Sequence, residues 1–156
     1  MCETELMQKA INVALENVTS LHGGPFGAIV VQNGKIIAVG RNEVTATNDP
    51  TAHAEIQAIR AACQYLNSFQ LDDCEIYTSC EPCPMCIGAI YWARPKAVYY
   101  ASTKEDAAKI GFDDQFIYEE LALPIEKRRI LMKQIQLDQY NLPFALWEES
   151  TAKTHY

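Results

Sequence analysis

The first forty residues change from a helical to a strand-like pattern of apolar positions. Residues 5–18 carry apolar side chains at intervals of three and four, which predicts an amphipathic helix. These positions are Leu6, Met7, Ala10, Ile11, Ala14 and Val18. The sequence Gly23-Gly24-Pro25 should end the helix. Two β-rich runs, residues 26–31 and 35–39, then flank Asn33-Gly34, which predicts a β-hairpin.

The middle of the chain predicts alternating helices and strands. A polar loop over residues 42–52 leads to a second helix that begins at His53. Its apolar face is formed by Ile56, Ile59, Cys63 and Leu66. Residues 75–79 and 96–101 resemble strands and flank a helix over residues 84–93. We therefore expect two parallel strands joined by a right-handed crossover.

The remaining segments complete a predicted α/β fold. They comprise a short helix near residues 103–109, the turn Gly111-Phe112-Asp113-Asp114, a helix over 116–121, a strand over 130–137 and a helix over 144–149. Together the elements predict one domain over residues 1–156, a three-layer α/β/α fold on a central mixed sheet of about five strands. In open α/β folds the ligand site lies in loops at the strand ends.

The charge of the chain bears on its partners. The net charge is −7, and the only basic cluster is Lys127-Arg128-Arg129, which we interpret as a solvated surface. Proteins that bind nucleic acid gain most of their affinity from basic residues that neutralise phosphates. We therefore expect a small, weakly charged substrate and no nucleic-acid partner.

The cellular location is predicted from hydropathy and cysteine usage. No apolar run approaches the roughly 20 residues of a membrane span, and the N-terminus lacks a signal pattern. The cysteines show no disulfide framework, and Cys63 and Cys74 are expected in the core. These features predict a cytoplasmic protein without a membrane partner.

The strongest chemical signal is a pair of short motifs. His53-Ala54-Glu55 is followed, 28 residues after the glutamate, by Cys83-Pro84-Met85-Cys86 with Pro82 in front. One imidazole and two thiolates that leave a fourth position open are typical of a catalytic zinc site. The combination of both motifs is the signature of the zinc-dependent nucleobase deaminases. We expect one Zn²⁺ per subunit.

The spacing also predicts how the site is built. Cys83 and Cys86 lie three residues apart on the first turn of a helix, so their sulfur atoms should point the same way. Glu55 is surplus to the three ligands and is the candidate for proton transfer. Cys80, three residues before Cys83, is a possible extra ligand, but its place at a strand end favours a core role or a place beside the ligands. We expect the N-termini of two helices to converge on the metal.

The chain resembles the cytidine deaminase-like superfamily, and within it the small bacterial guanine deaminases. The resemblance rests on Gly23-Gly24-Pro25-Phe26-Gly27-Ala28, Asn48-Asp49-Pro50-Thr51-Ala52-His53-Ala54-Glu55, residues 78–86, Ile90-Tyr91-Trp92-Ala93-Arg94 and Gly111-Phe112-Asp113-Asp114. It implies zinc-dependent conversion of guanine to xanthine and ammonia. It also implies a homodimer in which the C-terminal segments, about residues 130–156, are exchanged between subunits.

The same resemblance implies a role for individual residues. His53, Cys83 and Cys86 would hold zinc, and Glu55 would carry protons. The substrate-binding residues would be Asn42, Asp114, Phe26, Trp92, Ala54 and the partner's Tyr156. Guanine has donors at N1–H and N2–H₂ beside acceptors at O6 and N7, so a carboxylate suits the first pair and an amide the second.

Other interpretations stay open at this point. Phe26 suits a core position as well as a pocket wall, Asp114 suits a turn, and Tyr156 suits a frayed terminus. The substrate could be guanosine, cytosine or tRNA adenosine. A zinc module with a purely structural role is a further alternative, although such a site has no use for an unligated Glu55 beside its metal.

Overall fold

A mixed β-sheet of four strands organises the N-terminal part of the protein in this computed structural model, which describes residues 1–156. The chain forms two compact units, Met1–Asp114 and Gln115–Tyr156. The elements of the first unit are α1 (Glu3–Thr19), β1 (Gly27–Gln32), β2 (Lys35–Arg41), α2 (Val44–Thr47), α3 (Ala54–Leu66), β3 (Cys74–Cys80), α4 (Pro84–Ala93), β4 (Ala97–Ser102) and α5 (Lys104–Ala108). Those of the second are α6 (Gln115–Ala122), a 3-10 turn (Ile125–Lys127) and α7 (Leu142–Glu149).

The strand order is β2-β1-β3-β4, and the predicted pairings are confirmed. Strand β1 runs antiparallel to β2 and to β3, whereas β3 and β4 are parallel and joined through α4. The hairpin turn holds Asn33 and Gly34 at φ values of 50° and 74°, the left-handed conformation that Asn-Gly adopts readily. This topology brings the C-terminal ends of β3 and β4 to one edge of the sheet.

Helices cover both faces of the sheet, which confirms the three-layer fold. On one face, α1 packs against inward-facing residues of β1 and β3. That core contains Leu6, Ala10, Ile29, Val31 and Tyr77. On the other face α3 and α4 pack around the larger core, which includes Ala28, Val30, Ala58, Ala62, Leu71, Ile76 and Ile90. None of the helices is long and apolar enough to cross a membrane.

The most deeply buried positions of helix α3 are small residues beside the predicted apolar stripe. Within that stripe, Ile59, Cys63 and Leu66 are half-buried and pack against the larger core, whereas Ala54, Ala58 and Ala62 are fully buried. The cause lies in β2, where a Cβ atom on Gly40 would overlap the carbonyl oxygen of Ala54 and the amide nitrogen of Ala58. The helix lies so close to the strand at this point that only small side chains fit between them.

The second unit corrects the predicted number of strands. The helices expected over 116–121 and 144–149 are present as α6 and α7. Residues 130–137 form no strand, although their apolar residues alternate, so the sheet has four strands and not about five. An alternating segment becomes a strand only when a neighbouring strand takes up its backbone hydrogen bonds, and no strand of the chain pairs with this one.

Candidate functional site

The first motif lies where a loop enters helix α3. His53 caps the helix in an extended conformation, with φ −70° and ψ 157°, and Ala54 is the first helical residue. The preceding loop is fixed by Asp49, whose Oδ1 accepts hydrogen bonds from the backbone N–H and the hydroxyl of Thr51 at 2.8 and 2.7 Å. Glu55 follows in the first turn, and its side chain is directed into the protein with only 5% of its surface exposed.

The second motif begins helix α4 in the same way. Cys83 is the N-cap, Pro84 occupies the first turn, where its missing N–H leaves no bond unmade, and Cys86 is fully buried one turn later. The Sγ atoms of Cys83 and Cys86 each lie 3.5 Å from Nδ1 of His53. The N-termini of α3 and α4 therefore meet at these three side chains.

The three donor atoms fit a zinc ion. They all lie within 4.8 Å of one another. Four-coordinate zinc has bonds of about 2.3 Å to sulfur and about 2.0 Å to nitrogen, which separates such ligands by roughly 3.5 Å. The observed distances of 3.5 Å between sulfur and nitrogen match this value. Imidazole and thiolate are also the ligand types that zinc prefers.

The protonation of the three side chains is linked. The hydrogen bond with Cys86 lowers the pKa of Cys83, and the same bond together with burial raises the pKa of Cys86. The hydrogen bond with Cys83 raises the pKa of His53. The cluster thus favours one thiolate that is stabilised by protons on its neighbours, and a divalent cation would replace those protons.

Glu55 lies beside this cluster without belonging to it. Its Oε2 accepts a hydrogen bond from the thiol of Cys86 at 3.4 Å, and its Oε1 lies 3.0 Å from the hydroxyl of Thr78. Burial raises the pKa of the Glu55 carboxyl, because burial disfavours its charged form. Cys80 is outside the donor group, and its thiol donates to the carbonyl of Thr103 at 3.6 Å, in line with the core role favoured by its position.

Asn42 follows β2 and is held in one orientation. It is buried, its N–H donates to the carbonyl of Phe26 at 3.2 Å, and its Oδ1 accepts from the N–H of Val44 at 3.3 Å. The Asn42 side chain can therefore contact a ligand through its Nδ2, which acts as a hydrogen-bond donor. Asn17 fixes this region from α1, because its Nδ2 donates to the carbonyls of Asn42 at 3.0 Å and Gly24 at 2.7 Å.

Asn17 was not identified from the sequence. It is fully buried near the end of α1, whereas Val18, which was assigned to the apolar stripe, is exposed. A signal was present in the sequence, because Asn17 continues the spacing of Leu6, Ala10 and Ala14. A polar residue at a core position of a helix needs a hydrogen-bond partner, and here the partners are backbone carbonyls of the Asn42 region.

The aromatic and acidic candidates occupy several parts of the fold. Phe26 is half-buried before β1 and packs edge-to-face against Phe112, with ring centroids 5.0 Å apart. Phe112 was not identified from the sequence as a contact residue, although it lies in the Gly111-Phe112-Asp113-Asp114 turn. Burial raises the pKa of Asp114, and the nearby Cys83 thiolate raises it further. The Asp114 carboxyl is therefore within electrostatic reach of the Cys83 sulfur.

The last three candidates differ in exposure. Ala54 is fully buried at the start of α3, between the two residues of the first motif. Trp92 lies near the end of α4 with 62% of its surface exposed. Tyr156 is the last residue of the second unit and is 69% exposed.

The sequence is similar to those of known deaminases. Residues 1–102 match the family model for the cytidine and deoxycytidylate deaminase zinc-binding region. A guanine deaminase from Bacillus subtilis is 55% identical over 150 residues, which is 96% of each chain. A tRNA-specific adenosine deaminase from Aquifex aeolicus is 45% identical over 78 residues, which is 50% of this chain and 52% of the relative.

Solved structures of guanine deaminases are also similar to this chain. The crystal structure of guanine deaminase from Bacillus subtilis superimposes with a TM-score of 0.98 at 54% identity, over 100% of this chain and 99% of the other. A guanine deaminase from Nitrosomonas europaea has a TM-score of 0.69 at 33% identity, over 72% and 65% of the two chains. With its fold, its zinc-type donor set and the match over residues 1–102, the chain belongs to the cytidine and deoxycytidylate deaminase zinc-binding family.

Proposed function

We propose that the protein converts guanine and water to xanthine and ammonia, with one zinc ion in each subunit. The observation that carries this proposal is the buried carboxyl of Glu55, whose Oε2 lies 3.4 Å from the Cys86 sulfur of a three-donor metal group. The similarity to the Bacillus subtilis enzyme, 55% over nearly the full length of both chains, supports guanine as the substrate.

Each motif residue has a role in this proposal. His53, Cys83 and Cys86 hold zinc, which when bound lowers the pKa of a water molecule towards about 7 and so supplies hydroxide. Glu55 carries two protons in turn, one from water to the ring nitrogen and one from the added hydroxyl to the leaving amine. The carboxylate ends the cycle unchanged. Its burial excludes bulk water that would otherwise compete for these protons.

The substrate-binding residues match the polar edges of guanine. Asn42 offers the Nδ2 donor, which suits the acceptors O6 and N7, since its Oδ1 is occupied by Val44. Asp114 offers a carboxylate, which suits the N1–H and N2–H₂ donors. Phe26 presents an aromatic wall for a flat base, and we assign Ala54 and Trp92 to the same pocket. Adenine carries a donor at position 6, where guanine has an acceptor, so Asn42 disfavours it.

Nucleic-acid substrates suit this chain less well. Two of the three residues in the basic cluster are engaged within the second unit, because Arg128 donates to the carbonyls of Leu121 and Leu123 and Arg129 pairs with Glu120 at 3.4 Å. The net charge of −7 also opposes phosphate binding. These features favour a free base over tRNA adenosine.

The second unit is part of the proposal. Neither α6 nor α7 contains a buried residue, and many large apolar side chains from residue 116 onwards are exposed. Exposed apolar surface on this scale is typical of an interface. We assign residues 1–156 to one deaminase domain that forms a homodimer, with the segment from about 130 to 156 exchanged and Tyr156 closing the partner's pocket. We also propose a cytoplasmic location. The six cysteines are all free, which suits a reducing compartment.

A direct test measures ammonia release from guanine, guanosine, cytosine, adenine and tRNA. We expect turnover of guanine, and a fall of at least about 10²-fold in Glu55→Ala, the lower range for loss of a general acid/base, with zinc retained. Preferred turnover of another substrate would refute the assignment of guanine. A Glu55→Ala variant with nearly wild-type turnover would place proton transfer elsewhere.

Subunit mixing tests the exchange of the C-terminal segment. A chain truncated before residue 150 should bind zinc but lose most of its activity. When it is mixed with full-length Glu55→Ala, which is also nearly inactive, the intact tail of the second chain should restore the site of the first. Activity should then rise in proportion to the heterodimer, measured by native mass spectrometry. Heterodimer without recovered activity would show that the tail serves its own subunit or neither.

A further inference from the structure

A buried hydroxyl group holds one oxygen of Glu55. Thr78 lies in the central part of β3, with 1% of its surface exposed, and its Oγ1 is 3.0 Å from Oε1 of Glu55. The same hydroxyl lies 3.1 Å from the carbonyl oxygen of Cys80, so it can donate its single proton to either acceptor. Strand β3 pairs with β1 on one side and β4 on the other, so the backbone at Thr78 is held in place by both neighbours.

The two oxygens of Glu55 consequently face different surroundings. Oε1 is directed to the sheet, where Thr78 holds it. Oε2 is directed to the metal-binding donors and lies 3.4 Å from the sulfur of Cys86. A carboxyl group that turns about its last bond would exchange these positions, and a hydrogen bond to Oε1 opposes that rotation.

We propose that Thr78 is a positioning residue for proton transfer, because it holds Oε1 of Glu55 so that Oε2 exchanges protons with the substrate. The inference rests on the proposed deaminase function. Oε2 takes one proton from water and gives it to the ring nitrogen, then takes one from the added hydroxyl and gives it to the leaving amine. Thr78 itself neither gains nor loses a proton in either transfer.

Shape alone does not account for a threonine at this position. Valine has nearly the same volume and the same branched Cβ atom, and it suits a buried strand equally well. Only the hydroxyl distinguishes the two side chains, and its partners are Glu55 and the Cys80 carbonyl. The neighbouring Ser79 provides a matched control, because it is also buried but accepts its hydrogen bond from the N–H of Gly27 at 3.0 Å.

The test compares Thr78→Val, Thr78→Ser and Ser79→Ala as full-length zinc-loaded proteins. We expect Thr78→Val to lower kcat on guanine by roughly 10- to 100-fold, the effect of one hydrogen bond to a charged group, with KM changed by no more than about threefold. Thr78→Ser should recover most of kcat, and Ser79→Ala should leave it near wild type. Zinc content and circular dichroism check that each variant is folded, and Thr78→Ala replaces Thr78→Val if the latter does not fold.

A double variant separates positioning from a general structural role. If Thr78 acts through Glu55, then Thr78→Val should cause no further loss in a Glu55→Ala background. A further loss of similar size, an equal fall in Thr78→Ser, or an effect on KM alone would each overturn the role of Thr78. A zinc-loaded wild-type protein that does not turn over guanine would refute the proposed function and this inference together, whereas an active wild type with a fully active Thr78→Val would refute the inference alone.

Discussion

Replacing Gly40 by alanine should damage the active site from a distance. Gly40 lies in β2, and an added Cβ atom would lie 2.9 Å from Cα of Ala58 and closer still to the backbone of Ala54 and Ala58. Non-bonded carbon atoms normally lie about 3.5–4.0 Å apart, so α3 must move away from the sheet by about 1 Å. The displaced turn carries His53 and Glu55.

Both stability and turnover should fall in Gly40→Ala. Overpacking of this kind costs about 1–3 kcal/mol in the free energy of unfolding. A displacement of about 1 Å at catalytic groups lowers turnover by on the order of 100-fold. Urea unfolding and ammonia release from guanine measure these two effects, and zinc content shows whether the metal site is retained.

Gly88→Ala is the matched control for this variant. Gly88 lies in α4, which carries the two cysteines, but an added Cβ atom would meet nothing within 4 Å. Alanine is also favoured over glycine inside a helix by about 1 kcal/mol, so this variant should keep its zinc and its turnover. If Gly40→Ala matched Gly88→Ala in stability and in kcat, the close approach of α3 to β2 would not be what positions His53 and Glu55.

Three further predictions concern single side chains. Cys83→Ala should lose zinc, measured by atomic absorption, together with activity, because two donors remain of three; full zinc content would exclude Cys83 as a ligand. Asp114→Ala should keep its zinc but raise KM for guanine by roughly 10- to 100-fold, as expected for a lost charged hydrogen bond; unchanged kinetics would reduce Asp114 to a turn residue. Glu43 accepts a hydrogen bond from Gln57 at 2.6 Å, which lowers its pKa below the ordinary value of 4.5. Its stabilising contribution is therefore present above pH 4.5 and is lost as the pH falls through the lowered pKa. Urea unfolding should show that Glu43→Gln is less stable than the wild type at pH 7 and that the difference shrinks under acid conditions; a difference independent of pH would contradict this.

Local signals in the sequence were enough for the elements that position the site. The Asn33-Gly34 turn and the helix-opening motifs depend on neighbours within a few residues, and the strand–helix–strand order of residues 75–101 predicts the crossover through α4. All of these are present in the structure. The deep burial of Ala54 and Ala58 in α3 was not predictable in this way, because it depends on Gly40 in strand β2.

Long-range partners also explain the other differences. Asn17 is buried because two carbonyls outside its own helix need its donors. Residues 130–137 have the alternation of a strand but no pairing strand in the chain. In each case the local pattern was genuine, and the tertiary partner decided the outcome.

The two halves of the metal-binding group come from different parts of the chain. His53 opens α3 and Cys83 opens α4, 30 residues later in the chain and after β3. A metal bound by both residues therefore acts as a cross-link that closes a 30-residue loop. A cross-link that closes such a loop lowers the conformational entropy of the unfolded chain. By the chain-entropy relation this raises the free energy of unfolding by roughly 3.5 kcal/mol. The ion that supplies the chemistry would thus also clamp two helices together, and its release would free the end of α3 that carries Glu55.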